Sequence, residues 1–346
     1  MNGIKEVEMR FPIDLLSRGG MYYIVSAILP KQHFSDPFML DSLQYRFGIA
    51  EVSKDAPDEQ NVLVRPLHYD ENDSRIELTL LDDFIHTFTE RDLLEDRLRF
   101  IFHMSRCGST LTTQMLATSE RFFVVSEPPV ITKLLDPALT LTADYTKEEL
   151  LRAIICAIES CRPKNTEFTF IKFRSWNTLF LDEFIKQFPK TKWMFVHRNG
   201  LEVLESVLRD PPGWLRSRAT YAKYFSGFLG VEKNTLLMMS IDEYVARMLG
   251  ALCREVNNLS SKDTFLLDYK DLKNLFFNNI AKIWGITLTD REIQLMDNAS
   301  QLYSKDTAKT KLFEPDSEIK RAKTTKVQEE FIYRFVESER SRLVNT

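Results

Sequence analysis

The stretch Phe100-Ile101-Phe102-His103-Met104-Ser105-Arg106-Cys107-Gly108-Ser109-Thr110-Leu111 constrains this chain more than any other. An apolar run of β type enters, a cationic turn with one glycine follows, and a helical run from Leu111 to Leu116 leaves. Strand, tight loop and helix in that order form a phosphate cradle. The first N–H groups of a helix lack intrahelical partners and lie at the positive end of its dipole, so they attract an anion. Gly108 lets the backbone approach closely, and Arg106 brings a fixed charge with a fork of donors. Ser109 and Thr110 can cap the helix or offer hydroxyls to phosphate oxygens. Cys107 reads mainly as a small residue suited to a tight turn, although a helix N-terminus can lower a thiol pKa. The loop departs from the nucleotide-triphosphate pattern G-x-x-x-x-G-K-[ST], which needs Lys directly after its second Gly. Here Ser109 follows Gly108, and the cation lies two residues before the glycine. A Gly-Ser-Thr turn that only caps a helix has the same local sequence, so the loop needs support from elsewhere in the chain.

That support begins with the pattern after Leu98, where strands alternate with longer helical runs, as in a parallel sheet with crossovers. Expected strands are Leu98–His103, Phe122–Val125, Phe168–Phe173, Trp193–His197 and Thr264–Leu267. Expected helices are Thr110–Ala117, Lys147–Cys161, Thr178–Gln187, Leu201–Arg209, Ile241–Asn257 and Asp271–Trp284. Residues 1–95 form a separate, small α+β section of unassigned role that could help select an acceptor. Its expected strands are Met21–Val25, Asn61–Val64 and Ile76–Leu80, and it carries no catalytic constellation. Residues 96–346 form the main α/β domain.

A second constellation follows the Trp193 strand: Arg198 leaves the strand end, and Ser206 lies eight residues on, in the next helix. In open parallel sheets the ligand crevice lies at the carboxyl ends of the strands, so both can face it. Between the two constellations Glu127 follows a short strand, 21 residues after Arg106, and precedes two prolines that stiffen the exit. A carboxylate there either salt-bridges a loop cation or serves as a general base. Lys172, at the end of the Phe168 strand, and Arg174 compete for the remaining cationic position.

These motifs, in this order, resemble the P-loop sulfotransferases, and in pattern the carbohydrate and tyrosylprotein branch. The resemblance covers roughly residues 97–325. It implies a central parallel sheet flanked by helices and the donor 3′-phosphoadenosine 5′-phosphosulfate (PAPS), with adenosine 3′,5′-bisphosphate as product and no metal. It places Arg106, Cys107, Gly108, Ser109 and Thr110 on the 5′-phosphate and Arg198 with Ser206 on the 3′-phosphate. It makes Glu127, Arg106 and Lys172 the catalytic set, with Glu127 as base toward an acceptor hydroxyl, or less favourably an amine. Asn199-Gly200 replaces the family's frequent Asp-Pro after the arginine. Leu266-Leu267-Asp268-Tyr269-Lys270-Asp271-Leu272 resembles the family's strand-then-Tyr-x-Asp-Leu segment and reads as architectural.

Composition narrows the partners. A net charge of −4 argues against a general nucleic-acid binder while leaving room for a local basic pocket. No apolar run reaches the ~18 residues of a membrane span. Residues 1–11 lack a secretory apolar core. Four cysteines without metal-like spacing point to reduced thiols and a cytoplasmic protein. The acceptor reads as an unidentified small molecule. Residues 304–326 hold seven Lys/Arg against four Asp/Glu, a segment that could close over an anionic donor or be a solvated loop. Tyr221, Tyr224, Phe225 and Phe228 make a helical stripe that reads as core packing before it reads as a pocket wall. Two other classes stay open: a P-loop kinase, which would need a loop Lys and an Asp-ended strand for Mg²⁺, and a non-catalytic nucleotide-binding protein.

Overall fold

A computed structural model describes residues 8–30, 48–50, 67–69, 73–89, 95–137, 139–141, 145–261, 264–301 and 317–344. The strands are β1 (Glu8–Arg18), β2 (Met21–Pro30), β3 (Gly48–Ala50), β4 (Leu67–Tyr69), β5 (Ile76–Leu80), β6 (Leu98–His103), β7 (Phe122–Ser126), β8 (Phe168–Lys172), β9 (Lys192–His197) and β10 (Phe265–Asp268). The helices before β9 are α1 (Leu81–Thr89), α2 (Ser109–Leu116), α3 (Pro129–Leu134), α4 (Lys147–Ser160) and α5 (Leu181–Gln187). Those after it are α6 (Gly200–Arg209), α7 (Gly213–Arg216), α8 (Ala222–Leu229), α9 (Lys233–Met238), α10 (Ile241–Leu259), α11 (Leu272–Asn279), α12 (Asp290–Ser300), α13 (Ser317–Ala322) and α14 (Lys326–Ile332).

The central sheet has the order β10-β9-β6-β8-β7, and every pairing in it is parallel. Helices cover it, as the alternating pattern predicts. β6 lies in the middle and is buried along its whole length, the usual condition of a central parallel strand. Its rings anchor it: Phe102 stacks on Phe173 at 4.9 Å between centroids, and Phe173 meets Phe184 at 4.4 Å. The chain runs from β6 out to β7, returns to β8, then crosses to β9 on the other side of β6. The direction of winding therefore changes between β6 and β9, and the loops leaving those two strands flank a crevice.

The N-terminal section is antiparallel, with the order β1-β2-β5 and a separate β3-β4 pair. β1 and β2 form a hairpin through Gly19 and Gly20, both at positive φ, which a two-residue turn requires. β1 is absent from the expected strands because Pro12 demotes the run. The chain accommodates it with a register shift between Pro12 and Asp14. Met9, Phe11, Ile13 and Leu15 are buried, and β1 packs on α3 and α4. Asn61–Val64 lies outside the described residues.

Two expected helices are composite. Thr178–Gln187 begins as a 3₁₀ turn over Ser175–Phe180 before α5. Asp271–Trp284 divides into α11 and a π-helical turn over Ile280–Trp284, closed by Gly285 at φ 69°. The aromatic stripe packs inward: Tyr221 and Phe225 are buried, and the Tyr221 hydroxyl donates to Asp136 Oδ2 at 2.7 Å. All four cysteines are free and buried. Among the described residues no helix is long and apolar enough to cross a membrane.

Candidate active site

One cleft of about 480 Å³ opens at the carboxyl ends of β6, β7, β8 and β9. Its walls include every residue that the resemblance places on a phosphate or in the catalytic set: Arg106, Cys107, Gly108, Ser109, Thr110, Glu127, Lys172, Arg198 and Ser206. Its charge is lopsided. Among the described residues that line it, seven are cations (Arg106, Lys172, Arg174, Arg198, Arg209, Arg216 and Lys320) and one, Glu127, is a carboxylate. In a chain of net charge −4 this concentrates positive potential in one place.

Backbone strain gathers here as well. Among the described residues the non-glycine positions at positive φ are Ser105 (77°), Arg106 (47°) and Glu127 (53°), and all three line the cleft. Each costs on the order of 1–3 kcal/mol and persists only where the surroundings impose it.

The loop after β6 turns through Ser105 and Arg106 and reaches Gly108 at φ 90°, which is the N-cap of α2. Ser109 and Thr110 therefore do not cap the helix. They are its first two residues, and their N–H groups begin the set that a helix cannot satisfy internally. Gly108 is required twice: by its φ, and because an added Cβ would lie 2.6 Å from Cε2 of Tyr269. The Cys107 Sγ donates to the Val196 carbonyl at 3.0 Å, and burial pushes the thiol up to about 11. Burial thus outweighs the helix N-terminus, and Cys107 is the small turn residue that the sequence suggests, a buried staple between the loop and β9. Arg106 reaches across the cleft to Asp210, with Nη2 at 2.7 Å from Oδ2.

On the other side of the crevice Arg198 leaves β9 buried, donates from Nε to Glu202 Oε2 at 2.5 Å, and stacks its guanidinium 4.2 Å above the Tyr269 ring. Glu202 is in turn held by Arg321 (Nε to Oε1, 2.8 Å), and the neighbouring Lys320 lines the cleft. The basic segment thus contributes through its 317–326 part; residues 304–316 lie outside the described chain. Asn199 caps α6, its side chain accepting from Leu201 N and Glu202 N. The Gly200 N–H donates to Glu337 Oε1 at 3.0 Å, and a Cβ there would meet Ile332 at 2.7 Å. The departure from Asp-Pro has this physical cause: proline would lose the N–H and strike the C-terminal helices.

Glu127 sits where β7 ends. Its N–H bonds the Lys172 carbonyl at 2.6 Å, continuing the ladder in which Ser126 faces Lys172. Pro128 and Pro129 then start α3, with proline at the first helical position. The carboxylate meets Lys172 Nζ at 2.5 Å and lies 3.7 Å from Arg174 Nε. Burial alone would raise this carboxyl; the charges of Lys172 and Arg174 and the lysine hydrogen bond overcome it and hold it well below the usual carboxylate range. His103 Nε2 is 3.8 Å away, yet it is not an ionic partner. Its Nδ1 accepts from the Ser105 N–H at 3.1 Å, so Nε2 carries the hydrogen and donates to the Phe173 carbonyl at 3.1 Å. Burial, then Lys172, keep it neutral, with its pKa lowered to about 3. Both ring nitrogens of His103 are thus occupied.

Sequence reasoning missed Tyr269, Asp210 and Glu202. Tyr269 has a signal, since it opens the segment after β10 that reads as architectural. Asp210 and Glu202 have none without the contacts.

No family profile matches the chain, and no curated protein matches it. Solved structures of similar fold include sulfotransferase STF9 from Mycobacterium avium, 10% identical over 74% of this chain and 81% of that one, with a TM-score of 0.44. Mouse sulfotransferase SULT7A1, complexed with PAP, is 15% identical over 76% and 92%, with a TM-score of 0.40. The sulfotransferase domain of the Synechococcus PCC 7002 olefin synthase is 16% identical over 69% and 94%, with a TM-score of 0.38.

Proposed function

We propose that the chain is a sulfotransferase that moves a sulfuryl group from PAPS to an acceptor hydroxyl. The observation that carries this is the meeting, in one cation-lined cleft, of a glycine-opened helix start, a buried Arg198, Ser206, and a carboxylate paired with lysine. A cleft of about 480 Å³ is within the roughly 300–1,000 Å³ typical of small-molecule sites. Its donor set suits a ligand with two separate phosphate positions, one on each side of Tyr269.

When bound, PAPS supplies an activated sulfur with a phosphate leaving group. The N–H groups of Gly108, Ser109 and Thr110 hold the 5′-phosphate with Arg106, and Arg198 with Ser206 holds the 3′-phosphate. Glu127 accepts the proton as the hydroxyl oxygen bonds sulfur and the bond from sulfur to the 5′-phosphate oxygen breaks. Adenosine 3′,5′-bisphosphate leaves with the electron pair. Lys172 has two tasks that alternate. Paired with Glu127 it keeps the carboxylate ionised; turned to the sulfuryl oxygens it stabilises their charge. That turn also removes the charge that depresses Glu127, and burial then makes the carboxylate a stronger base. Orientation and fixed charge do most of the work, as in phosphoryl transfer.

A kinase is less well supported: among the described residues that line the cleft, Glu127 is the one carboxylate that could hold Mg²⁺. The test is single-turnover transfer from ³⁵S-labelled PAPS without Mg²⁺ to a panel of hydroxyl compounds, run beside γ-labelled ATP with Mg²⁺. Labelled sulfate ester supports the proposal. Labelled phosphate ester alone would replace it with phosphoryl transfer.

A further inference from the structure

The cations of the cleft differ in how much field they send into solvent. Three of them face a carboxylate at close range: Arg198 with Glu202 at 2.5 Å, Lys172 with Glu127 at 2.5 Å and Arg106 with Asp210 at 2.7 Å. Each such pair acts as a short dipole, whose field fades quickly with distance. Arg209 and Arg216 line the same cleft and are exposed at its mouth. We infer that these two arginines form a capture rim for the anionic donor, setting its rate of entry and not its hold once bound. This rests on the proposed PAPS reading and adds two residues to it.

Their place in the chain puts them beside the donor residues. Arg209 ends α6, the helix that carries Ser206. The next residue, Asp210, pairs with Arg106, so the turn through Pro211 and Pro212 lies against the loop after β6. α7 then begins at Gly213 and ends at Arg216, whose Nε donates to the Pro211 carbonyl at 2.9 Å. That bond fixes the guanidinium beside the turn without cancelling its charge, and among the described residues no carboxylate pairs with Arg216. Arg209 is more restrained. Its Nη1 lies 3.9 Å from Glu205 Oε2, and the other oxygen of that carboxylate is 3.9 Å from Lys323 Nζ. One carboxylate thus faces two cations at long range, and the Arg209 side chain remains 56% exposed.

The overall charge gives such a rim its purpose. The chain carries −4 and the donor is itself a polyanion, so at long range the two repel. At physiological ionic strength the Debye length is about 8 Å, so an approaching nucleotide responds to the exposed charges near the mouth more than to the whole protein. Arg216 and Arg209 supply open positive charge there. The exposed carboxylate on the same turn, Asp210, is already committed to Arg106. Charge focused at a cleft raises association rates by about 10–10³-fold in all, and two arginines supply a part of that.

The probe is etheno-adenosine 3′,5′-bisphosphate, a fluorescent form of the product whose anisotropy rises on binding. It is mixed by stopped flow with the full wild-type chain, with Arg216→Ala and Arg216→Lys, and with the double variant Arg209→Ala, Arg216→Ala. Each is run in about 0.01 M and about 1 M salt, where the Debye length is about 30 Å and about 3 Å. At low salt association should slow about threefold in Arg216→Ala and about tenfold in the double variant, with dissociation changed by less than about twofold. Arg216→Lys should keep the wild-type association rate, since capture needs the charge and not the fork. At high salt the differences should vanish. Equal association rates at low salt overturn the inference. So does a loss that falls on dissociation, which would make the arginines ligands of the bound nucleotide. The same mixing with etheno-ADP separates this from the donor reading. If the bisphosphate binds and the variants change nothing, only the rim fails. If ADP alone binds, the donor reading fails and the ADP rates decide the rim. If neither binds, both fall.

Discussion

The two halves of the cleft use the same ion-pair chemistry in opposite ways. On the β6/β9 side cations await an anion, and each is held by a carboxylate that does not line the cleft: Arg106 by Asp210, Arg198 by Glu202. On the β7/β8 side the carboxylate itself faces the cleft, held by Lys172 and approached by Arg174. In the proposed reaction the first half exchanges a protein counterion for a ligand phosphate. In that reaction the second keeps one carboxylate ionised until a proton arrives. Strained backbone marks both, at Ser105 and Arg106 in the loop and at Glu127 across from it. The lesson is that a cleft rich in cations is not one uniform anion trap; which partner each cation holds at rest assigns its task.

The largest effect is expected at the carboxylate. Glu127→Gln keeps shape and hydrogen-bonding reach but removes the proton acceptor. Single-turnover transfer should fall by roughly 10²–10⁴-fold, the usual worth of a positioned base. Bisphosphate affinity should change little, since Glu127 belongs to the other half. Near-normal turnover would erase the distinction between the halves.

Lys172→Met tests the alternation. Turnover should drop by about 10²–10³-fold through loss of charge stabilisation. The pH profile should move as well. With Lys172 gone, Glu127 loses the largest of the charges that oppose its burial, and its carboxyl rises. The rate needs the ionised form, which is lost as pH falls through the pKa, so the acid limb should shift to higher pH than in wild type. An unmoved limb would mean that Lys172 does not set the ionisation of Glu127.

Arg198→Ala removes a charge-assisted phosphate partner. At about 1.5–3 kcal/mol for such a contact, bisphosphate binding should weaken by roughly 10–150-fold. The residual turnover at saturating donor should approach that of wild type. A collapse of thermal stability with unchanged affinity would instead make Arg198 a structural partner of Tyr269 and Glu202.

The smallest effect is expected at the counterion. Asp210→Asn releases Arg106 from its resting ion pair, so the bisphosphate should bind several-fold tighter, because a partly exposed pair holds only about 0.2–1 kcal/mol. Weaker binding would show that Asp210 positions Arg106 and does not compete with the ligand.

How much of this the sequence reveals depends on the range of the interaction. The central sheet was legible because β6, β7, β8, β9 and β10 are short apolar runs separated by helical periodicity, a local signal. The loop, Arg198 with Ser206, and Glu127 were legible because each follows a strand end, where a parallel sheet exposes its ligands. β1 was not, since Pro12 hides a strand that a bulge restores. Nor were the pairings that assign the roles. Arg106 and Asp210 are joined across 104 residues, and Lys172 and Glu127 across 45. Tyr269 was visible as a residue, but its place between Gly108 and Arg198 depends on β10 lying beside β9. The main reading of Cys107, a small residue in a tight turn, agrees with the structure: the loop folds it onto Val196, and burial there outweighs the helix dipole.

The most direct test of the two-phosphate cleft is a thermal-shift titration of the wild-type chain with adenosine 3′,5′-bisphosphate and with ADP, both without Mg²⁺. Arg198 and Ser206 should make the 3′-phosphate count, so the bisphosphate should stabilise the fold by about 2.7 kcal/mol at a hundredfold excess over its Kd, with ADP giving a clearly smaller shift at the same concentration. Equal stabilisation by the two nucleotides would contradict the account.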